Sequence, residues 1–370
     1  MSADAPGSSR RLSDALDEFV EGKSPNYAAN LKRVVGKWID WCADRDVQTL
    51  DDVEVQTMAR YADHLTRRVR AGQADADNGI AASSAWTYYS QISAFLSWAT
   101  KWEYIPENPA DKGRAKDQLP PKPSGNDRGR QFWQPEQRQA LMEYLNERAR
   151  EAIHADDVDA FEPVRDRALG AVLAYTGVRG AEILADRHDP RRTGITWADV
   201  DLEDGTITVL GKNQQVEPTP LPAQAVEPLS RLQTLLAPPD GDWPVFPSRH
   251  APTLYETIEA AGYDRPEGDP WQFVLDNMIA PPSLTTSGVR SLLKRWSQAA
   301  DIPDLDADDG EYLTLHGARR GVGEKLYRER GAAAAQRTLR HADPSTTSQM
   351  YSHIEASELA EDNSDVFDDE

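Results

Sequence analysis

Residues 316–353 read HGARRGVGEKLYRERGAAAAQRTLRHADPSTTSQMYSH. His316 and Arg319 stand three positions apart, so on a helix they share one face. From His316 to His341 the charged residues are seven basic and two acidic, although the chain as a whole has a net charge of −21. Tyr351 is the only tyrosine after Tyr327. Because of this local positive charge, the acidic composition of the whole chain does not exclude a nucleic-acid ligand.

Two earlier fragments carry comparable chemistry. Residues 176–182 read TGVRGAE, at the end of an apolar stretch, and Lys212 lies between two predicted strands. Each fragment has an ordinary explanation, because such arginines and lysines are usually solvated or paired with carboxylates. Lys212 is nevertheless one of only three lysines beyond residue 130. A lysine can donate a proton, whereas a guanidinium does not deprotonate in proteins.

Composition limits the class of protein. At 370 residues the chain is long enough for two domains, each with its own core. Cys42 is the only cysteine, which excludes an internal disulfide and favours a reducing, cytoplasmic location. The longest apolar stretch, residues 168–178, is too short to span a bilayer. The lysine-poor, acidic composition is typical of halophilic organisms, and it favours that origin over a simple role in solubility.

The pattern up to residue 110 predicts a small all-helical domain. Apolar residues recur at three- and four-residue steps, for example through Leu31, Val35, Trp38 and Cys42. Residues 1–10 are expected to be disordered, and residues 11–110 to form the domain.

Residues 111–130 are predicted to be a basic linker rich in proline and glycine. Its basic residues are Lys112, Arg114, Lys116, Lys122, Arg128 and Arg130. A solvated tether and a segment that follows a phosphate backbone are equally compatible with this pattern.

Residues 131–360 are predicted to form a second, mixed domain, followed by an acidic solvating tail at 361–370. Helices are expected over about 134–150, over 164–176 and through most of the chain after 223. The strand candidates are 195–197, 206–210 and 216–221, with prolines that restrict the last one to a sheet edge. Residues 238–247 and 262–282 are expected to be irregular. The predicted fold is therefore mainly α with a small antiparallel β-sheet.

Together the fragments resemble the tyrosine recombinase family of phage-type integrases and Xer-like recombinases. The resemblance covers nearly the whole chain and implies a core-binding (SAM-like) domain followed by an α+β catalytic domain of the DNA breaking-rejoining type. It assigns the active site to Arg179, Lys212, His316, Arg319, His341 and Tyr351, with Tyr351 as the nucleophile. Glu182 is implied as a supporting residue. The predicted DNA-binding residues are Arg320 and the basic residues of the linker.

The resemblance implies a site-specific recombinase that cleaves and rejoins double-stranded DNA through a 3′-phosphotyrosyl intermediate, and the acidic composition predicts a halophilic archaeal origin. It implies a tetramer on paired sites, a monomer or dimer off DNA, and no membrane partner. Neither metal nor ATP is expected, because the histidines are scattered and no phosphate-binding loop is visible.

Two alternatives stay open. One is a type IB topoisomerase-like nicking-closing enzyme, which strand exchange between two duplexes would exclude. The other is a catalytically inactive DNA-binding relative, which adduct formation would exclude. The second draws support from the interval between His341 and Tyr351, which contains Pro344 and is one residue longer than is usual in the family.

Overall fold

The fold was analysed in a computed structural model. It describes residues 9–74, 78–122, 131–156, 158–211, 215–341, and positions 343, 345, 348, 350 and 351. The chain divides into two compact units, Met1–Gly129 and Arg130–Glu370. Among the described helices, none combines the length and apolarity needed to cross a bilayer.

The first unit is helical. Its α-helices are α1 (Leu12–Val20), α2 (Pro25–Ala43), α3 (Val55–Gln73), α4 (Ala82–Lys101) and α5 (Gly113–Lys116), with 3₁₀ turns at Leu50–Asp52 and Pro109–Asp111. Pro25 opens α2 at a position where the missing N–H costs no hydrogen bond. The apolar faces meet in one core that includes Leu31, Trp38, Met58 and Phe95.

The expected linker is folded over its first ten residues. Ala115 of α5 is buried in the core of the first unit. The indole N–H of Trp86 donates to the carbonyl of Pro120 at 3.0 Å, and the Thr66 hydroxyl donates to that of Gln118. The chain is therefore held against α3 and α4 up to Pro120, because alanine and leucine side chains in this segment complete the helical core. Arg128 and Arg130 lie outside the described residues.

The second unit is built around a nearly fully buried helix. Its helices are α6 (Pro135–His154), α7 (Phe161–Thr176), α8 (Gly180–Ile183), α9 (Ala223–Leu236), α10 (Ala251–Ala260), α11 (Pro270–Asp276), α12 (Thr286–Ala299) and α13 (Leu315–Leu339). Helix α7 contacts α6, α9 and α13, which explains why its sequence is apolar on almost every face. Helix α11 lies within a stretch expected to be irregular; Asp269 caps it, and Trp271 and Val274 anchor it in the core.

The sheet has three antiparallel strands in the order β1-β2-β3. They are β1 (Val200–Asp201), β2 (Thr206–Leu210) and β3 (Val216–Pro220). The prolines of β3 lie at the sheet edge, as predicted. The strand expected at 195–197 is absent from this sheet. Thr196 instead forms an isolated bridge with Pro244 and precedes a 3₁₀ turn, Trp197–Asp199.

Candidate active site

The loop between α7 and α8 presents Arg179. Helix α7 ends at Gly177, whose φ of +72° belongs to the left-handed region that favours glycine. A side chain there would also lie 3.1 Å from Leu339 and 3.3 Å from Val322 of α13. The glycine thus lets the loop approach α13 closely. Arg179 follows as the N-cap of α8.

Glu182 fixes this loop. Its carboxylate accepts the backbone N–H of Arg179 at 2.8 Å and the guanidinium Nη1 of Arg179 at 2.6 Å. It also accepts Nη2 of Arg340 at 2.5 Å. Burial alone would raise the pKa of Glu182, but the Arg179 N–H and the charge of Arg340 outweigh it and lower the pKa. A buried, ionised carboxylate thereby links two guanidinium groups.

Helix α13 contributes His316 and Arg319, one turn apart. Arg319 is only 3% exposed. Its Nη1 donates to the carbonyl of Gly177 at 2.7 Å, and its Nη2 donates to the carbonyl of Leu339. Those two acceptors lie 142 and 20 positions away in sequence, so one guanidinium joins the Arg179 loop to the end of α13.

Positive charge accumulates where these segments meet. Burial, and then the charge of Arg179, lower the pKa of Arg319 to about 9, so this group is still cationic at pH 7. Burial and the nearby arginines, Arg320 first among them, lower the pKa of His316, which keeps an exposed face. Burial, and then Arg319 and Arg179, lower the pKa of His341 to about 4. Both imidazoles are therefore mainly neutral at pH 7, each with one ring nitrogen that can donate a hydrogen bond and one that can accept.

Tyr351 is fully buried and lies close enough to Arg319 and Arg320 to feel their charge. Its ring packs on Tyr327 at 5.3 Å and on Phe132 at 6.2 Å between centroids. Its hydroxyl is 3.4 Å from the carbonyl of Arg320, over the backbone of α13. Burial raises the pKa of Tyr351, and the opposing charge of Arg319 does not cancel this effect. The phenol is near the arginines but held in its neutral form.

The structure therefore brings five predicted residues into one region of the second unit: Arg179, His316, Arg319, His341 and Tyr351. Lys212 lies outside the described residues, between Gly211 at the end of β2 and Gln215 before β3. In the first unit, Lys112 is paired with Glu107, and Lys116 with Asp111. The ammonium group of Lys122 lies 5.8 Å from the ring of Trp86, and Arg114 lies on α5. The guanidinium of Arg320 lies 6.0 Å from the ring of Phe132.

Sequence reasoning missed Arg340, Glu217 and Arg192. Arg340 Nε lies 3.2 Å from the carboxylate of Glu217 on β3. Arg192 donates to the carbonyls of Ala181, Leu210 and Gly211. The position of Arg340 beside His341 was a usable signal, whereas nothing local in sequence marks Glu217 or Arg192.

Comparison with known proteins identifies the family. Residues 132–358 match the Phage integrase family, and residues 11–116 match the Phage integrase SAM-like domain. Tyrosine recombinase XerC of Xylella fastidiosa (strain 9a5c) is 24% identical over 356 residues, which cover 93% of this chain and 92% of that protein. Tyrosine recombinase XerD of Ralstonia nicotianae is 28% identical over 205 residues, which cover 55% and 52%.

Solved structures share the fold. The Tn1549 transposon integrase in complex with a circular intermediate DNA aligns with a TM-score of 0.57 at 14% identity, covering 93% of this chain and 95% of that one. A lambda integrase dimer bound to a COC′ core site aligns with a TM-score of 0.53 at 16% identity, covering 93% and 77%. The Phage integrase match extends over more than half of the sequence. The chain therefore belongs to the phage integrase family and is a tyrosine-type site-specific recombinase.

Proposed function

We propose that this recombinase cleaves and rejoins double-stranded DNA at a centre formed by Arg179, Lys212, His316, Arg319, His341 and Tyr351. The observation that carries the proposal is the position of Arg319. By hydrogen bonding to Gly177 and Leu339, its guanidinium holds together the segments that bear Arg179 and His341. Two cations and two neutral imidazoles thus lie close to one buried phenol.

The arginines supply the electrostatic part of the mechanism. A phosphodiester gains negative charge as its phosphorus is attacked, and preorganised donors at such a site are typically worth about 3–4 kcal/mol each. Arginine suits this task because its planar guanidinium presents paired N–H groups to two oxygens. Glu182 orients Arg179 through two contacts, so little reorganisation is needed when the phosphate binds.

Tyr351 forms the covalent bond to DNA. Its oxygen attacks phosphorus, the phosphorus–O5′ bond breaks, and a 3′-phosphotyrosyl ester forms. His316, neutral at pH 7, accepts the phenolic proton, while Lys212 protonates the departing O5′. His341 donates a hydrogen bond to the phosphate. Attack by a new 5′ hydroxyl reverses the steps without ATP.

The phenol must move before it reacts. Tyr351 is buried, its hydroxyl faces the backbone of α13, and its pKa is raised. Approach of a phosphate would bring the phenol of Tyr351 towards Arg319. The charge of Arg319 already favours the phenolate form. Burial thus keeps the phenol of Tyr351 protonated in this position.

DNA binding is assigned to Arg320 and to the basic residues of 111–130. Lys112 and Lys116 would exchange their carboxylate partners for phosphates, so their contribution falls as salt concentration rises. Recombination joins two duplexes, which calls for four protomers on paired sites. The boundaries 131–360 of the catalytic domain, the cytoplasmic location and a halophilic archaeal origin stay predictions from sequence, whereas the first unit extends beyond the predicted boundary at 110.

A suicide duplex, nicked so that the cleaved end diffuses away, tests the nucleophile. Tyr351→Phe should bind DNA with unchanged affinity and form no adduct on a denaturing gel. Tyr327→Phe, which changes the neighbouring buried tyrosine, is the matched control and should still form the adduct. An undiminished adduct with Tyr351→Phe would falsify the assignment. Recombinant product from two labelled duplexes would exclude a nicking-closing enzyme, and the wild-type adduct would exclude an inactive relative.

A further inference from the structure

Both strands of the β2–β3 hairpin are linked to α8, the helix that Arg179 caps. Strand β2 ends at Leu210 and β3 begins at Val216, and the residues between them include Lys212. The N–H of Gly211 donates to the carbonyl of Gln215 at 2.8 Å and joins the two strands next to the turn. In the described part of the chain the sheet has three short strands, with β3 at its edge.

Arg192 connects the end of β2 to α8. Its Nη1 donates to the carbonyl of Ala181 at 2.5 Å and to that of Leu210 at 3.3 Å. Its Nη2 donates to the carbonyl of Gly211 at 3.4 Å. One mostly buried guanidinium therefore spans α8 and the residue that directly precedes Lys212. Asp189 lies 3.9 Å away and offsets part of the charge.

Arg340 connects β3 to α8. Its Nε lies 3.2 Å from the carboxylate of Glu217, and its Nη2 binds Glu182 on α8. The backbone of Arg340 has φ +51°, a conformation that glycine adopts more readily than any L residue. The position holds an arginine despite this backbone cost, and its side chain joins two carboxylates on separate elements.

We propose that Arg192 and Arg340 are positioning residues that hold the described strands of the β2–β3 hairpin against α8, and that proton transfer from Lys212, which follows Gly211 in sequence, depends on these contacts. The two arginines contact the two strands of the hairpin next to the turn, and both also contact α8, at Ala181 and Glu182. This inference rests on the proposed role of Lys212 as the proton donor to O5′. It predicts that loosening either tie impairs protonation of the leaving group more than phosphate binding.

Glu217→Gln and Arg192→Lys test the two ties separately. The DNA sequence is first identified by sequencing DNA captured in the wild-type adduct. The duplex is then synthesised in two forms, one with an ordinary scissile phosphate and one with a 5′-bridging phosphorothiolate. The sulfur leaving group needs no proton. Both variants should form adduct on the ordinary duplex roughly 10- to 100-fold more slowly in a single turnover, since misplacement of a catalytic group by about 1 Å costs that much. On the phosphorothiolate duplex they should react within about threefold of wild type.

Matched controls separate this inference from the proposed function. Arg191→Lys changes the adjacent, more exposed arginine, whose guanidinium pairs with Asp189, and should leave both rates unchanged. Lys212→Ala should be rescued by the phosphorothiolate. If Lys212→Ala is not rescued, the proton-donor role itself fails. Two outcomes would overturn only the positioning role, provided that Lys212→Ala is rescued. In the first, Glu217→Gln and Arg192→Lys stay slow on both duplexes; in the second, they cleave the ordinary duplex as fast as wild type.

A double-mutant cycle tests the Arg340 tie directly. Arg340→Gly removes the side chain and relieves the left-handed backbone, so a slower cleavage rate does not stem from backbone strain. In that background Glu217→Gln should slow cleavage by less than about twofold, because its partner is already gone. Full additivity of the two effects would show that Glu217 acts without Arg340 and would overturn this part of the inference.

Discussion

Replacement of Gly323 by alanine should dislodge Tyr351. A Cβ at this position would lie 2.5 Å from Cδ1 of Leu339 and 2.8 Å from Cζ of Tyr351, with the phenolic oxygen closer still. Carbon atoms pack at about 3.5–4.0 Å, so the Leu339 methyl must shift by about 1 Å and the phenol must move aside. Tyr351 can therefore occupy its buried position because residue 323 has no side chain.

The size of the effect follows from packing. Overpacking of this kind costs about 1–3 kcal/mol, and each 1.4 kcal/mol is a factor of ten in an equilibrium. Gly323→Ala should therefore shift the equilibrium between buried and released phenol by roughly 5- to 150-fold. The alanine gains about 1 kcal/mol as a helix former, which offsets part of the loss in global stability.

Nitration by tetranitromethane followed by peptide mass spectrometry measures access to individual tyrosines. Tyr351 should be modified several-fold faster in Gly323→Ala, while Tyr89, buried in the other unit, should not change. Gly268→Ala is the control, because a Cβ there would meet no atom within 4 Å. Equal nitration of Tyr351 in wild type and Gly323→Ala, with equal melting temperatures, would refute the argument.

Two further changes probe the charged cluster. Glu182→Gln should lower the free energy of unfolding by about 3 kcal/mol, because Arg179 and Arg340 lose a buried counter-charge. Urea denaturation measures it, with the more exposed Glu217→Gln expected to cost less than about 1 kcal/mol; equal losses would contradict the prediction. The pKa of His341, about 4, lies below the value of about 6.5 in an unfolded chain, so the unfolded state binds more protons between those pH values. Wild type should therefore lose stability as the pH falls from 6.5 to 4, and His341→Gln should lose less. Parallel urea midpoints across that range would argue against a depressed pKa.

Much of the fold follows from short-range patterns. The apolar period that runs through Leu31 and Trp38 predicted α2, and the apolar residues before Gly177 predicted α7. The prolines of β3 correctly restricted it to a sheet edge. These predictions succeed because helical and strand periods, and the missing N–H of proline, act within a few residues.

Predictions failed where burial by distant parts of the chain decides the conformation. Residues 111–120 have a linker composition, yet Ala115 is buried against helices more than ten residues away. Residues 270–276 lie in a stretch rich in proline and glycine, and they are helical because Trp271 and Val274 enter the core of the second unit. Composition measures average polarity, whereas a few buried side chains are sufficient to order a segment.

For the active site, the sequence alone determined the chemical groups: two arginines, two histidines and a late tyrosine, in an order that resembles one family. Only the tertiary structure decided how they are held. Arg319 bonds to carbonyls 142 and 20 positions away, and Tyr351 is buried over a glycine of α13. Backbone carbonyls are identical at every residue, so no sequence pattern states which of them a guanidinium will meet once the chain has folded.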